Sequence, residues 1–527
     1  MAEWWRGAVF YQIYPRSFLD TNSDGVGDLP GVIAGLDHVA SLGVDAIWLS
    51  PFFPSPMKDF GYDVSDYRGV DPMFGTLADF DRLLVEAHAR NLKVIIDQVW
   101  SHTSDLHPWF LESATARDSE RADWYVWADP RPDGTPPNNW LASFGGPAWT
   151  WSAKRRQYYF HNFLPEQPDL NFWNPAVQDA ILDIARYWLD RGVDGFRLDV
   201  VNYYRHDREL RENPPARHEE TPLMAVDMQR HVFDRSRPEN LEFIGRLRRL
   251  MDAYEARMTV GEIGADPPLP CQQEYTVPPD RLHTAYSFFL LGGEAATPAL
   301  FLEALHSWAG AEGWPSWSLG NHDVARFPTR MAHDDPRFAR ALMAALICLR
   351  GTIFLYQGDE LGLPDAQVPF DRLRDPYAIA AYAGSPGRDG ARTPMPWTDA
   401  APMGGFTGAP DAWLPMDPRH LSLSIARQQP DPDSMLAFTR ALVAVRRASE
   451  ALKAGDATAL AAPQGVLGFE RSAGTERVRC YFELGGRSSV VSDPGLARGQ
   501  PLFPEGGAAL SPTGLDLPPY GVSIVRL

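Results

Sequence analysis

The sequence predicts an α/β fold, a (β/α)₈ TIM barrel with a loop-rich domain inserted after strand 3 and a C-terminal β-sandwich. Three observations predict it. Short β-branched runs alternate with amphipathic helical patterns through the first half, the signature of parallel βα units. Eight candidate strands precede residue 358. Acidic residues close several of those strands, and in a barrel the C-terminal strand ends form the face that carries the site.

The first clear helix carries Val32, Ile33, Leu36, Val39 and Ala40 at helical spacing, with Gly43 placed to stop it. Ala46-Ile47-Trp48-Leu49-Ser50 then reads as a buried strand. Thr76 can cap a second helix bearing Phe80, Leu83, Leu84 and Ala87, with Asn91 past its end, before the strand Lys93-Val94-Ile95-Ile96-Asp97. Asn174-Pro175 is a cap and first turn for a helix burying Val177, Ile181, Ile184, Trp188 and Leu189. Gly192 ends it, and Gly195-Phe196-Arg197-Leu198-Asp199 is the next strand. Further strands are expected at 8–14, 259–263, 284–289, 316–320 and 352–357.

Two stretches break this rhythm: 102–165, rich in Trp, Pro, Gly and Asn, and 358–432, rich in Pro, Gly and Asp. Both follow strand ends, so they read as site-shaping loops rather than linkers. A helical stretch at 435–452 precedes short strand patterns separated by Gly/Pro turns. The expected division is a catalytic barrel at 1–101 and 166–454, an inserted domain at 102–165, and a β-sandwich at 455–527.

The 527 residues carry a formal net charge of −19 and no basic patch, which argues against nucleic acid as a partner. No apolar run approaches the roughly 18 residues needed to cross a bilayer, so no membrane partner is expected. Aromatic residues make up 12% of the chain, including 17 Trp; they suit stacking on a neutral sugar and equally suit an ordinary large core. Cys271, Cys348 and Cys480 are an odd number at distant positions, which fits reduced structural thiols. The start, Met1 to Arg6, lacks the basic-then-apolar pattern of a secretory signal, so a cytoplasmic location is expected.

Asp97, Asp199 and Glu262 end apolar strands, and Asp323 lies just beyond another. A carboxylate at a buried strand end is costly unless paired or hydrated. One such residue reads best as a helix cap; four at equivalent positions, with Arg197, His102 and His322 nearby, read as one barrel mouth. Paired carboxylates without a phosphate loop, a helical paired-His zinc motif or a Ser elbow suit glycosidic cleavage.

The ordered segments Ala8-Val9-Phe10-Tyr11-Gln12-Ile13-Tyr14-Pro15, Asp97-Gln98-Val99-Trp100-Ser101-His102, Gly195 to Asp199, Val260-Gly261-Glu262 and Gly320-Asn321-His322-Asp323 resemble glycoside hydrolase family thirteen, the α-amylase family, in its oligo-1,6-glucosidase and α-glucosidase branch. Gln167 to Asn171 resembles that branch's additional block, and Gly387 to Met395 its long loop after the eighth strand. The resemblance implies Asp199 as nucleophile, Glu262 as general acid/base and Asp323 as the group that grips sugar hydroxyls. It implies that Arg197 keeps Asp199 ionised, that His102 and His322 donate to hydroxyls, and that Tyr62 stacks beneath the glucose. Asp63 and Arg392 would hold the non-reducing end and close the pocket. Phe144 and Phe163 could wall the leaving-group subsite or simply pack.

Ser101 replaces the usual Asn before His102, which should weaken one hydrogen bond. Val200, directly after the nucleophile, accompanies tolerance of α-1,6 linkages in this branch, and Asn202-Tyr203 replaces the Lys-His of endo-amylases. The residues 20–28 place oxygen ligands on alternate positions, readable as a calcium loop or an Asx-rich turn. The resemblance favours Ca²⁺, or Mg²⁺, on the Asp20, Asn22, Asp24 and Asp28 side chains and the Val26 carbonyl, with no organic cofactor. The expectation is a retaining, exo-acting α-glucosidase, monomeric or a small homo-oligomer, taking a small α-glucoside. A transglucosylase or sucrose isomerase on the same site is the alternative.

Overall fold

The computed structural model describes residues 3–217, 221–381 and 387–527; Met1 and Ala2, part of the leader reading, lie outside the described residues. Eight parallel strands form the central sheet: β1 (Val9–Ile13), β2 (Ala46–Leu49), β3 (Lys93–Gln98), β4 (Gly195–Leu198), β5 (Met258–Ile263), β6 (Thr284–Ser287), β7 (Ser316–Trp317) and β8 (Thr352–Tyr356). Their order is β7-β8-β1-β2-β3-β4-β5-β6, and a parallel bridge between Ala285 and Pro315 joins the two ends, closing the barrel.

Strand alternation sorts the side chains into two cores. Phe10, Ala46, Trp48, Ile95, Val260, Tyr286 and Phe354 fill the barrel interior. Val9, Tyr11, Ile47, Leu49, Val94, Ile96, Phe196 and Leu198 pack outward into the main core shared with the helices. Arg197, between two outward residues of β4, therefore points inward.

The helix signals act as read. Thr76 and Asp79 form a reciprocal capping box on Leu77–Ala89, and Asn174 accepts the Ala176 N–H at the start of Pro175–Asp190. Asn91 (φ 60°) and Gly192 (φ 104°) take the left-handed turn that releases the chain into the following strand.

Two expected strands are shorter than the pattern suggested. At 288–291 the chain closes one helical turn, with the Gly292 N–H on the Phe288 carbonyl (2.6 Å). Beyond Trp317, Ser318 Oγ donates to the Gly320 carbonyl (2.5 Å) and accepts its N–H (3.3 Å), bending the chain off the ladder. Local side-chain bonding here outcompetes strand pairing.

Between β3 and β4 the insertion forms its own three-stranded antiparallel sheet (Trp127–Ala128, Gln157–Phe160, Trp149–Ser152) over Val126, Trp140, Trp149 and Phe160. After the helix Met435–Arg447, two antiparallel sheets of five and three strands enclose Val466, Tyr481, Val491, Leu515, Leu517 and Val525. No helix among the described residues is long and apolar enough to cross a membrane, and the three cysteines are unpaired.

Within the barrel, Arg446 ties the helix Met435–Arg447 to the chain ahead of β1 and β8. Fully buried, it donates to the carbonyls of Gly7 (3.0 Å), Ile347 (2.5 Å), Leu349 (3.0 Å) and Gly351 (2.5 Å). Arg446→Ala would strand these acceptors beside a cavity, so we predict a loss of about 3 kcal/mol or more in the first urea transition, with Arg446→Lys losing less. An unchanged midpoint would refute this role.

Candidate active site

Parallel register assembles the floor of the site. Asp97 of β3 lies opposite Arg197 of β4, Leu198 opposite Gly261 of β5, and Glu262 opposite Tyr286 of β6. Asp199 and Glu262, one step further along adjacent strands, thus emerge side by side at the C-terminal mouth. Arg197 Nη1 lies 2.8 Å from Asp97 Oδ1 and 2.6 Å from Asp199 Oδ1, while Nη2 lies 2.6 Å from Glu262 Oε1. Tyr286 Oη accepts from the same guanidinium (2.8 and 3.0 Å) and donates to Glu262 Oε1 (3.1 Å). The other oxygen, Oε2, accepts the Val200 N–H at 3.1 Å. Val200 sits at φ 33°, ψ 50°, a left-handed conformation unfavourable for a β-branched residue.

Burial pushes the carboxyl groups of both Asp199 and Glu262 up to about 7 against the pull of Arg197. One cation cannot neutralise three carboxylates, so Asp199 and Glu262 titrate as a pair that keeps one proton near neutrality. Asp323 behaves oppositely. Although burial raises it, the Arg388 and Arg392 guanidiniums hold its carboxyl below the usual range.

A cavity of about 600 Å³ opens above this floor, a volume suited to a small ligand. Asp199, Glu262, Asp323, Tyr62, His102, Val200, Phe144 and Phe163 all line it. Tyr62 stacks on His322 (ring centroids 5.1 Å, 7°), and its hydroxyl contacts His322 Nε2 and Asp97 Oδ2 (3.1 Å). Burial lowers His102 to about 4 and His322 well below its ordinary value, so both rings are neutral at physiological pH. His102 Nδ1 lies 2.8 Å from Ser101 Oγ. The Ser101 hydroxyl thus supplies a hydrogen-bond partner to the ring in place of the usual Asn.

The rim is aromatic: Phe144 and Phe163 stand 5.6 Å apart, Phe163 lies parallel to Tyr203 (6.0 Å), and Tyr377 approaches Phe144 (6.4 Å). Phe144 also carries the Arg388 guanidinium over its ring at 4.9 Å.

The sequence matches the family described as alpha amylase, catalytic domain, over residues 12–455. The chain belongs to the α-amylase family. It is a glycoside hydrolase by that membership. A probable α-glucosidase of Rhizobium meliloti is 49% identical over all of this chain and 97% of its own length. An oligo-1,6-glucosidase of Heyndrickxia coagulans is 38% identical over 86% of this chain and 87% of its own. A solved α-glucosyl transfer enzyme, XgtA, superposes with a TM-score of 0.95 at 49% identity, covering 100% of both chains.

Two expectations within this α-amylase-family site need correction. Asp63 does not face the cavity. It is fully buried and accepts from Ser55 Oγ (2.8 Å), the Lys58 N–H (2.8 Å) and the Asp59 N–H (3.1 Å), so it shapes the loop that presents Asp59. Asp59 lines the cavity instead, paired with Arg388 at 2.9 Å. Arg392 is likewise fully buried: it donates to the His322 carbonyl (2.6 Å) and to Asp323 Oδ1 (3.0 Å), setting Asp323 from behind. Arg388, four residues earlier, is a cationic wall residue, bridging Asp59, Asp323 (3.2 Å) and the buried Asp375 (2.7 Å).

Sequence reading passed over Tyr286, which carried no signal beyond its place near a strand end, and read Tyr203 only as a departure from the endo-amylase pattern. Gln167, read only as part of a block, lines the cavity with Nε2 3.1 Å from both the Tyr62 carbonyl and His102 Nε2. Asp359 and Glu360, read as structural, lie away from the cavity. Glu360 meets His38 (2.9 Å) and Tyr11 (2.9 Å), while Asp359 accepts the Tyr356 N–H (2.9 Å).

The coupled pair predicts a bell-shaped pH profile of kcat/KM centred near neutrality. Activity falls as pH drops because the attacking carboxylate gains a proton, and falls as pH rises because the proton-donating carboxyl loses its own. Glu262→Gln should abolish the alkaline limb on a nitrophenyl glucoside, whose leaving group needs little protonation. Retention of that limb would assign the proton elsewhere.

Proposed function

We propose that the protein is a retaining, exo-acting α-glucosidase that releases glucose from the non-reducing end of short α-glucosides. The observation that carries this reading is the pair Asp199 and Glu262, each 2.6 Å from a terminal nitrogen of one guanidinium. Two carboxyl groups drawn onto one cation match the close spacing of direct attack better than the wider spacing that admits a water between them.

In this reading Glu262, protonated, gives its proton to the glycosidic oxygen as Asp199 attacks the anomeric carbon and the C–O bond breaks. The glucosyl–Asp199 ester then meets a water whose proton passes to Glu262, and the Asp199 carboxylate is released. Asp323, kept ionised by its arginines, accepts from sugar hydroxyls, and neutral His102 and His322 donate to them. The Asp59–Arg388–Asp323 bridge across the cavity wall supports a closed inner end and hence exo-action. Val200, on the wall beside the nucleophile, supports tolerance of α-1,6 linkages.

Transfer to a sugar or alcohol in place of water is the second reading. The likeness to XgtA favours it, as does the aromatic rim, which limits water at the leaving-group side. The three unpaired cysteines suit a reducing, cytoplasmic compartment.

We further propose a divalent cation, Ca²⁺ by preference, in the 20–28 loop. Asp20 Oδ1, Asn22 Oδ1 and Asp24 Oδ1 each accept the N–H two residues on (3.0, 2.9 and 2.9 Å), a run of turns compatible with a cation loop. Asp20 and Asp28 are already engaged by backbone amides and threonine hydroxyls, and among the described residues no three acidic, His or Cys side chains converge as a metal cluster. Asp20, Asn22, Asp24, Asp28 and the Val26 carbonyl would supply the oxygens, and the cation would stiffen the loop without touching the chemistry.

Asp199→Asn should lower kcat by at least roughly 10⁴-fold, and NMR of early wild-type product should show α-glucose before mutarotation. First-formed β-glucose would overturn the retaining reading. Chelation with EDTA should lower Tm by roughly 5 °C or more, restored by Ca²⁺. An unmoved Tm would remove the cation.

A further inference from the structure

A second cleft, of about 420 Å³, lies on the outer wall of the barrel between the segment 65–68, the start of the insertion and the helix Pro175–Asp190. It shares no lining residue with the catalytic cavity. Its wall is a chain of rings. Tyr67 meets His107 (5.6 Å), His107 meets Trp109 (4.5 Å), and Trp109 meets Trp124 edge to face (4.8 Å). Trp48, Trp100, Trp140 and Trp188 are fully buried, whereas Trp109 and Trp124 keep part of their surface in this cleft.

Asp66, Arg68, Arg121 and Asp183 also line it, two charges of each sign, so the cleft has no net attraction for an anion or a cation. The Arg68 side chain is exposed and lies over the Tyr187 ring at 5.5 Å, with no hydrogen bond or ion pair from its guanidinium among the described residues. His107 Nδ1 accepts the Trp109 N–H (3.1 Å), and burial lowers the ring to about 4, leaving a neutral imidazole with its proton on Nε2. Arg121 lies over one face of Trp124 at 4.9 Å; the remaining indole surface of Trp109 and Trp124, a neutral imidazole donor, a free guanidinium and balanced charge match an uncharged polyhydroxylated ligand.

We propose that this cleft is a second sugar-binding site that takes a short neutral oligosaccharide, separate from the catalytic cavity. Its inner wall connects to the catalytic face. The Tyr67 hydroxyl lies 2.8 Å from the carbonyls of both Val99 and His102, so a sugar on Tyr67 rests against the segment that presents His102.

The test is saturation-transfer NMR with isomaltose as probe and the catalytic cavity filled by saturating 1-deoxynojirimycin. Inhibition of turnover by the same compound, measured first, reports separately on the catalytic reading. Isomaltose signal should survive the inhibitor in the wild-type protein. Trp124→Ala should weaken this residual binding about tenfold, and the surface change Arg68→Ala should weaken it in the same direction. Both variants should hydrolyse nitrophenyl glucoside at the wild-type kcat. Loss of all signal on adding inhibitor would overturn the site, as would residual binding that both folded variants leave unchanged.

Discussion

A single buried guanidinium organises the chemistry of this protein. Arg197 is wholly removed from solvent and contacts Asp97, Asp199 and Glu262 at 2.6–2.8 Å. Desolvating that many charges is costly, and leaving any one of them unpaired would cost more. The surplus of carboxylates over cations is the useful part, because it keeps a proton on the catalytic pair near neutral pH. A barrel suits this arrangement: parallel register pairs Asp97 with Arg197 and, two residues further along, Glu262 with Tyr286, so all four meet in the interior beside its apolar filling.

Around that floor, function is divided between groups that face the cavity and groups that hold them. Asp63 and Asp59 differ by four positions, yet one is spent on three hydrogen bonds within its own loop and the other meets Arg388 at the wall. The same division recurs in the long loop after β8, where Arg392 anchors Asp323 and Arg388 reaches the cavity. Asp375 is the least expected member, since it sits outside the cavity and its carboxylate accepts from both the guanidinium and the backbone N–H of Arg388 (2.7 Å each). Acidic and basic residues therefore cluster here at two depths, and depth separates a binding group from its support.

The aromatic residues show the same economy. Phe144, Phe163 and Tyr203 stack into one aromatic wall of the cavity. Trp109 and Trp124, on the opposite side of the β3 connection, offer rings outside that cavity. The same residue type thus fills the core and lines an open cleft, and burial distinguishes the two places.

What the sequence determined by itself was everything carried by local pattern. The helix caps at Thr76 and Asn174, the strand runs and the acidic strand ends were legible because propensity, capping and periodicity act over a few neighbours. The carboxylates proposed as catalytic were legible for the same reason, each standing at the end of an apolar strand. Tertiary structure alone decided which of two nearby acids or arginines faces the cavity, because Asp59 and Asp63, or Arg388 and Arg392, carry the same chemistry and differ only in the direction their loop turns them. It also decided the role of Tyr286, whose hydroxyl reaches Glu262 only through the register of β5 on β6. Long-range pairing sets those directions and distances, and no local window of the sequence contains both partners.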